Sequence, residues 1–220
     1  MIFSTFDSNE ALNQALAERI ASDLKILLEI KEHIYLLVSG GSTPKTLFPV
    51  LSKLDLDWKK VTIGLVDERF VDNTSEFSNE KLVHETLLQN QAKEAEFLPM
   101  VLFPNDESIN LEAVNKTYTV FAEPDLVLLG MGEDGHTASI FPNDEQSSEA
   151  LVSNENCLST KAPVNPQHRI TCTAKILKNA VRTYLTITGE KKKSVFENAA
   201  SNGLPIVFFT ETITEVFYTK

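Results

Sequence analysis

The chain has 220 residues, 42% of them hydrophobic, and its 31 acidic and 20 basic side chains give a formal charge of −11. This length and composition predict one globular domain, residues 1–220, with a sizeable core. The negative charge argues against nucleic acid or an anionic membrane surface as a partner. A small anionic ligand would need a local cluster of basic residues.

Targeting and redox features are few. Cys157 and Cys172 are the only cysteines and do not form a C-x-x-C spacing, which favours reduced thiols over a disulfide framework. The start, MIFSTFDSNE, lacks the basic and apolar regions of a secretory signal, and no apolar stretch approaches the roughly 20 residues that span a bilayer. We therefore expect a cytoplasmic protein with no membrane association.

The first predicted element is an amphipathic helix that begins near Asp7. Leucine or isoleucine recurs every fourth residue over Leu12–Leu28, and Asp7 and Glu10 are spaced like a capping box. An apolar run at 34–38, IYLLV, follows and ends in SGGSTP. Glycines there stop a strand, and Pro44 favours the start of a second helix.

Three further apolar runs repeat this order. The run 61–66 ends in DERF, 125–130 ends in MGEDGHT and 183–188 ends in GEKKK, while helical patterns begin at Ser78 and Ser108. Alternating strands and helices predict an α/β fold, a mostly parallel sheet with helices on both faces. The polar strand ends should meet at the carboxyl edge of this sheet, where such folds bind ligands.

One polar stretch has no clear periodicity. It runs from Phe141 to Ser159, FPNDEQSSEALVSNENCLS. We interpret it as a surface excursion and not as a domain boundary, since no repeat, linker or low-complexity segment adjoins it.

The third strand end spells Gly-x-Gly-x-x-Gly across 130–135. A dinucleotide loop should lie in the first strand–turn–helix unit and open an uninterrupted helix. This loop comes past mid-chain, and Pro142 would interrupt a helix. The pattern instead favours a loop that presents His136 as a general base active near neutral pH, with Asp134 to orient it. A histidine that merely caps a short helix is the alternative.

Other chemistries have weaker signals. Ser39 and Ser42 lack the Gly-x-Ser-x-Gly elbow of serine hydrolases. His33, His84 and His168 show no metal-ligand spacing, and SGGSTPK lacks the spacing of a nucleotide P-loop. We therefore expect neither a metal nor a cofactor.

Three strand ends carry candidate phosphate ligands. Gly40–Gly41 permit close backbone approach of an anion to the N-terminus of the next helix, or form a simple tight turn. Arg69 could bind a phosphate with two hydrogen bonds, or pair with Glu68 or Asp72 at the surface. Lys192 is either a further ligand or part of a solvated helix start.

Four segments in order along the chain together resemble the 6-phosphogluconolactonase family. They are LLVSGGSTPKTLF, DERFV followed by SN at 78–79, PDLVLLGMGEDGHTASIFP and HRITCTAKILKNAVRTYLTITGEKKKSVF. The resemblance implies a modified Rossmann-like fold of the sugar-phosphate isomerase type and a catalytic role for His136. It also implies sugar-phosphate binding by Gly41, Ser42, Thr43, Arg69, Arg169 and Lys192.

The implied reaction is hydrolysis of 6-phospho-D-glucono-1,5-lactone in the oxidative pentose phosphate pathway. The implied partner is therefore a small sugar-phosphate lactone, and the oligomeric state is left open. Lys191 and Lys193 stand where the family has glycine and alanine. The phosphate-binding lysine is thus open among three neighbours.

Two alternatives share this resemblance. Glucosamine-6-phosphate deaminases and isomerases have a similar GSTP-like loop and Gly-x-Asp-Gly-His loop, but follow the histidine with Ile-Ala-Phe-Asn-Glu-Pro and the acidic pair with tyrosine. This chain has HTASIFP and DERF in those places. The other alternative is a non-catalytic sugar-phosphate sensor. Such sensors usually carry a DNA-binding segment, and no basic recognition helix is evident here.

Overall fold

The computed structural model describes residues 1–220, which form ten strands, seven α-helices and four short 3₁₀ turns. The strands are β1 Ile2–Phe6, β2 Ile34–Val38, β3 Val61–Leu65, β4 Asp67–Arg69, β5 Glu96–Phe97, β6 Leu126–Gly130, β7 Cys157–Lys161, β8 His168–Cys172, β9 Arg182–Thr188 and β10 Glu215–Thr219. The helices are α1 Asn9–Leu28, α2 Ser42–Leu51, α3 Asn79–Thr86, α4 Glu107–Thr117, α5 Glu145–Ala150, α6 Ala174–Leu177 and α7 Glu190–Glu197.

Seven strands form a parallel sheet in the order β1-β10-β9-β6-β2-β3-β5. The predicted apolar runs are its central strands β2, β3, β6 and β9. All five residues of β3 are buried, so both faces of the sheet are covered there. The predicted α/β class is confirmed.

A second, smaller sheet was not predicted from the sequence. Its strands are antiparallel in the order β4-β8-β7. The stretch Phe141–Ser159, interpreted as a surface excursion, contains α5 and the first part of β7, two elements that the sequence did not predict. The strands β4 and β7 are too short and too mixed in burial to produce a clear periodic signal.

Two helix starts differ from the sequence prediction. The cap of α1 is Ser8, whose hydroxyl accepts a hydrogen bond from Ala11 N at 3.1 Å, so the capping box at Asp7 was wrong. The next helix, α2, begins at Ser42 with Gly41 as its cap and has Pro44 inside its first turn. The apolar face predicted for α1 is correct, since Leu12, Leu16, Ile20 and Leu24 are fully buried.

One cluster of 49 buried residues forms the core around the parallel sheet. Cys157 and Cys172 are free thiols within it. No helix is long and apolar enough to cross a membrane. The polar ends of β2, β6 and β9 leave this core at the same edge of the sheet, because neighbouring strands are parallel.

Candidate active site

A cavity of about 660 Å³ lies at that edge, a size typical of small-molecule sites. It is lined by residues that follow β2, β6 and β9, and by residues of β4 and β8. All eight residues singled out from the sequence are among them: Gly41, Ser42, Thr43, Arg69, Asp134, His136, Arg169 and Lys192. The structure thus brings the predicted histidine and the predicted basic residues to one place.

The loop after β6 holds His136 against Asp134. The imidazole Nδ1 lies 2.5 Å from Asp134 Oδ1, which also accepts the backbone N–H of His136 at 3.2 Å. The loop is closed by a hydrogen bond from Gly132 N to His136 O at 2.9 Å. His136 does not cap a helix, because the segment that follows it is irregular.

Asp134 is ionised in this arrangement. Burial raises its pKa, but the hydrogen bonds with His136 and the charge of that residue outweigh burial, so the pKa is lowered overall. A carboxylate accepts hydrogen bonds and cannot donate them. Nδ1 of His136 therefore carries the proton of the shared hydrogen bond, which leaves Nε2 as the free acceptor of the neutral ring.

The segment that follows His136 is held by the smaller sheet. Ser139 N donates to Thr171 Oγ1 at 3.3 Å, and Thr160 Oγ1 donates to Ser139 O at 2.7 Å. Ala138 has a φ of +48°, a conformation that residues with a Cβ rarely adopt. Strained backbone of this kind is concentrated at functional sites. The two hydrogen bonds therefore attach the segment after His136 to the smaller sheet.

The Gly40–Thr43 segment presents free backbone donors. The N–H groups of Gly41, Ser42 and Thr43 make no hydrogen bond within the protein, and Gly41 caps α2 without a side-chain bond. A helix N-terminus with unpaired N–H groups attracts anions, since its dipole is positive there. The geometry therefore fits an anion in the cavity beside this segment.

Arg69 and Arg169 lie directly opposite each other on β4 and β8. Neither forms an ion pair with a carboxylate, so the predicted alternative of a surface pair between Arg69 and Glu68 or Asp72 was wrong. Burial, and then the charge of Arg69, lower the pKa of Arg169. Two guanidinium groups on opposite residues, neither with a carboxylate partner, form a site for an anion.

The three consecutive lysines have different surroundings. Lys191 pairs with Glu133 at the exposed surface, and Lys193 lies over the ring of Tyr218 at 5.1 Å. Lys192 alone of the three lines the cavity, and burial lowers its pKa against the opposing effect of neighbouring carboxylates. Lys192 is therefore the lysine in position to contact a ligand.

Sequence reasoning assigned no role to several other residues of the cavity. Asp67 Oδ2 accepts a hydrogen bond from Ser139 Oγ at 2.5 Å, and the ring of Phe141 lies 4.8 Å from that of His136. Asn79 contacts Arg69. Asp67 and Asn79 belong to the DERF and SN segments of the sequence. Their contacts depend on how β4 packs against distant segments, which no local pattern predicts.

No group of three or more histidine, cysteine, aspartate or glutamate side chains is arranged to hold a metal ion. The cavity is instead defined by one histidine–aspartate pair, a basic cluster and free backbone N–H groups. Such a set suits proton transfer on a small anionic substrate.

The fold and this site together define an α/β protein with a histidine–aspartate pair and a basic anion site at the carboxyl edge of its parallel sheet. The family model described as glucosamine-6-phosphate isomerases/6-phosphogluconolactonase matches residues 7–217. The chain belongs to this family.

Curated relatives and solved structures narrow the comparison to one branch. A 6-phosphogluconolactonase of Helicobacter pylori is 38% identical over 98% of this chain and 96% of its own length. One from Rhizobium meliloti is 39% identical over 90% of this chain and 87% of its own length. The crystal structure of a 6-phosphogluconolactonase from Shewanella baltica is 37% identical, covers 100% of this chain and 98% of that one, and superposes with a TM-score of 0.94.

Proposed function

We propose that this protein hydrolyses 6-phospho-D-glucono-1,5-lactone to 6-phosphogluconate, a step of the oxidative pentose phosphate pathway. The observation that carries the proposal is a single cavity in which a histidine–aspartate pair and a basic cluster meet. Relatives that match almost the whole chain are 6-phosphogluconolactonases, which supports the same activity here.

His136 acts as the general base of this reaction. Its Nδ1 proton is engaged by Asp134, so the neutral ring accepts a proton at Nε2 from the attacking water. The water oxygen then bonds to C1 of the lactone, and the C1 carbonyl oxygen becomes negatively charged. Asp134 stabilises the imidazolium that forms, as a carboxylate hydrogen-bonded to the other ring nitrogen does in hydrolases with a catalytic triad.

The tetrahedral intermediate collapses by breaking the bond between C1 and the ring oxygen. Backbone N–H groups of the Gly40–Thr43 segment that lack partners are donors for the developing oxyanion. The imidazolium returns its proton to the departing ring oxygen, which becomes the hydroxyl at C5. The net change is the addition of one water, and His136 regains its neutral form.

Arg69, Arg169 and Lys192 anchor the 6-phosphate together with the N-terminus of α2. All three side chains line the cavity, and both arginines lack a carboxylate partner that would compete with the substrate. Binding energy from this remote group holds C1 in place for attack. The anchor also explains how an acidic protein, of formal charge −11, attracts an anionic substrate.

The activity is tested by following the disappearance of fresh 6-phosphogluconolactone, with spontaneous hydrolysis subtracted. The wild-type protein is expected to turn over the lactone, and His136→Ala should lower kcat by roughly 10² or more, the usual contribution of a general base. His84→Ala is the matched control, because His84 lies outside the cavity, against the ring of Phe97.

Each possible failure points to a specific alternative. Near-wild-type turnover by folded His136→Ala would remove His136 as the base. Binding of the sugar phosphate without hydrolysis above background would favour a sensor. Release of ammonia from glucosamine-6-phosphate would favour the deaminase branch of the family.

A further inference from the structure

Asn79 joins three segments that line the cavity. Its side-chain Nδ2 donates to Asp67 O at 2.9 Å, and its Oδ1 accepts from Arg69 Nη1 at 3.0 Å. The same amide lies so close to Gly40 that a Cβ there would be 1.9 Å from Asn79 Oδ1. The side chain therefore fills the space between β4, the Arg69 guanidinium and the start of the Gly40–Thr43 segment.

Asn79 is itself held by a buried carboxylate. Glu68, only 1% exposed, accepts the backbone N–H groups of Asn79 at 2.8 Å, Glu80 at 2.7 Å and Arg69 at 2.7 Å. Its fourth donor is Ser78 Oγ at 3.0 Å. Two of these N–H groups belong to the first turn of α3, where a negative charge is favourable. Glu68 therefore fastens the start of α3 to β4.

The contacts of Arg69 leave part of its guanidinium free. Nη1 donates to Phe77 O at 2.6 Å and to Asn79 Oδ1, whereas the buried Nε has no partner in the protein. Hydrogen bonds therefore hold the Nη1 side of the guanidinium in place, and its other N–H groups remain available to a ligand. An arginine fixed in this way before binding loses less side-chain entropy when it binds a phosphate.

We propose that Asn79 is a positioning residue for the phosphate anchor: held by Glu68, it fixes the Arg69 guanidinium against the Gly40–Thr43 segment so that both donate to one phosphate group. This inference rests on the proposed function, because it assumes a phosphorylated substrate. Asn79 acts through Arg69 and does not take part in the chemistry at C1.

The experiment measures the dissociation constant of inorganic phosphate by calorimetry, beside kcat and KM for the lactone. Asn79→Ala should raise the phosphate dissociation constant and KM about tenfold and leave kcat within about twofold, because His136 is untouched. Asn79→Asp should weaken phosphate binding further, since a carboxylate at this position pairs with Arg69 and repels the anion.

Asn110→Ala is the matched control. Asn110 is also a buried amide, and it makes hydrogen bonds with the backbone of Leu102, Phe103 and Met100 outside the cavity. Its loss should lower thermal stability without changing phosphate affinity. If Asn79→Ala were only a loss of stability, the two alanine variants would behave alike.

Two results would overturn the inference: unchanged phosphate affinity in folded Asn79→Ala and Asn79→Asp, or an equal loss of affinity in Asn110→Ala. The calorimetric measurement does not depend on turnover. A wild-type protein that binds phosphate but leaves the lactone intact would refute the proposed function, and the Asn79 variants would still decide the positioning role.

Discussion

Gly132 allows the imidazole of His136 to approach Asp134 closely, and Gly135 allows the turn of the same loop. A Cβ on Gly132 would lie 2.2 Å from His136 Nδ1 and 2.6 Å from Asp134 Oδ1. Gly135 has a φ of +78°, and a Cβ there would lie 2.6 Å from Leu204 Cδ1. Of the glycines that imitate a dinucleotide fingerprint, Gly132 is therefore required by the packing of the histidine–aspartate pair and Gly135 by its backbone conformation and the contact with Leu204.

The hydrogen bond from His136 to Asp134 leads to a prediction for Asp134→Asn. An amide at this position can donate to Nδ1, which would leave the ring proton on Nε2 and remove the acceptor needed for water. We expect kcat to fall by about 10² to 10⁴ while the fold and KM change little. Steady-state kinetics on the phosphorylated lactone and a circular dichroism spectrum test this.

Asp144→Asn controls for the loss of a nearby carboxylate. Asp144 accepts a hydrogen bond from Ser147 N at 2.8 Å as the cap of α5 and is not among the cavity-lining residues. The Asp144→Asn variant should lose some stability and keep the kcat of the wild-type protein. A kcat for Asp134→Asn equal to that of this control would show that Asp134 does not set the proton position on His136.

At this scale, the sequence predicted the residues that follow strands and missed those placed by distant contacts. His136 and Lys192 come directly after apolar runs, so the edge they share can be inferred from the parallel order of the strands. The contacts of Asn79, and those of Asp67 after the run 61–66, depend on β4 pairing with β8, about a hundred residues further along the chain. No local pattern encodes that pairing.

At the scale of elements, the smaller sheet β4-β8-β7 carries much of the site. It places Arg69 opposite Arg169, and Thr160 and Thr171 hold the backbone beyond His136. The long strands of the parallel sheet were predictable because burial on both faces produces continuous apolar runs. The short antiparallel strands β7 and β8, CLSTK and HRITC, mix polar and apolar residues and produce no such run.

The pairing of two arginines across β4 and β8 predicts a trade-off between binding and stability. Like charges directly opposite each other destabilise neighbouring strands, and burial and Arg69 both lower the pKa of Arg169. Arg169→Met removes this charge and keeps a long side chain. We expect its thermal midpoint without ligand to rise and its KM for the phosphorylated lactone to increase about tenfold or more.

Thermal unfolding with and without inorganic phosphate, together with KM, tests this prediction. Arg182→Met is the control, because Arg182 is exposed at the start of β9 and its guanidinium bonds only Val181 O. It should leave KM unchanged. A lower midpoint for Arg169→Met, with an unaltered KM, would assign Arg169 a structural role in the sheet.

At the scale of the whole molecule, the basic residues are concentrated at the site although the chain as a whole is acidic. Arg69, Arg169 and Lys192 gather at one cavity in a chain of formal charge −11, so attraction of an anion is local and not a property of the overall field.

The core is one cluster of 49 buried residues. We propose that residues 1–220 fold as one domain and unfold in a single cooperative transition.

That cooperative unfolding should carry a pH dependence from Glu68. Burial raises its pKa from 4.5 to about 7 against the lowering effect of its hydrogen bonds. Between these two values the folded state binds more protons than the unfolded state, so the free energy of unfolding decreases as pH rises from about 4.5 to about 7. The contribution amounts to about 3 kcal/mol, present in full below pH 4.5 and lost above pH 7.

Glu68→Gln removes this titration, so the difference in free energy of unfolding between wild type and variant should itself change by about 3 kcal/mol across that pH range.

Urea unfolding, followed by the fluorescence of the buried Trp58 and by circular dichroism, measures the free energy of unfolding of both proteins at each pH. Coincident transitions from the two probes are expected for one domain. A difference that is constant with pH would place the titration of Glu68 outside this window, and separate transitions would contradict the single domain.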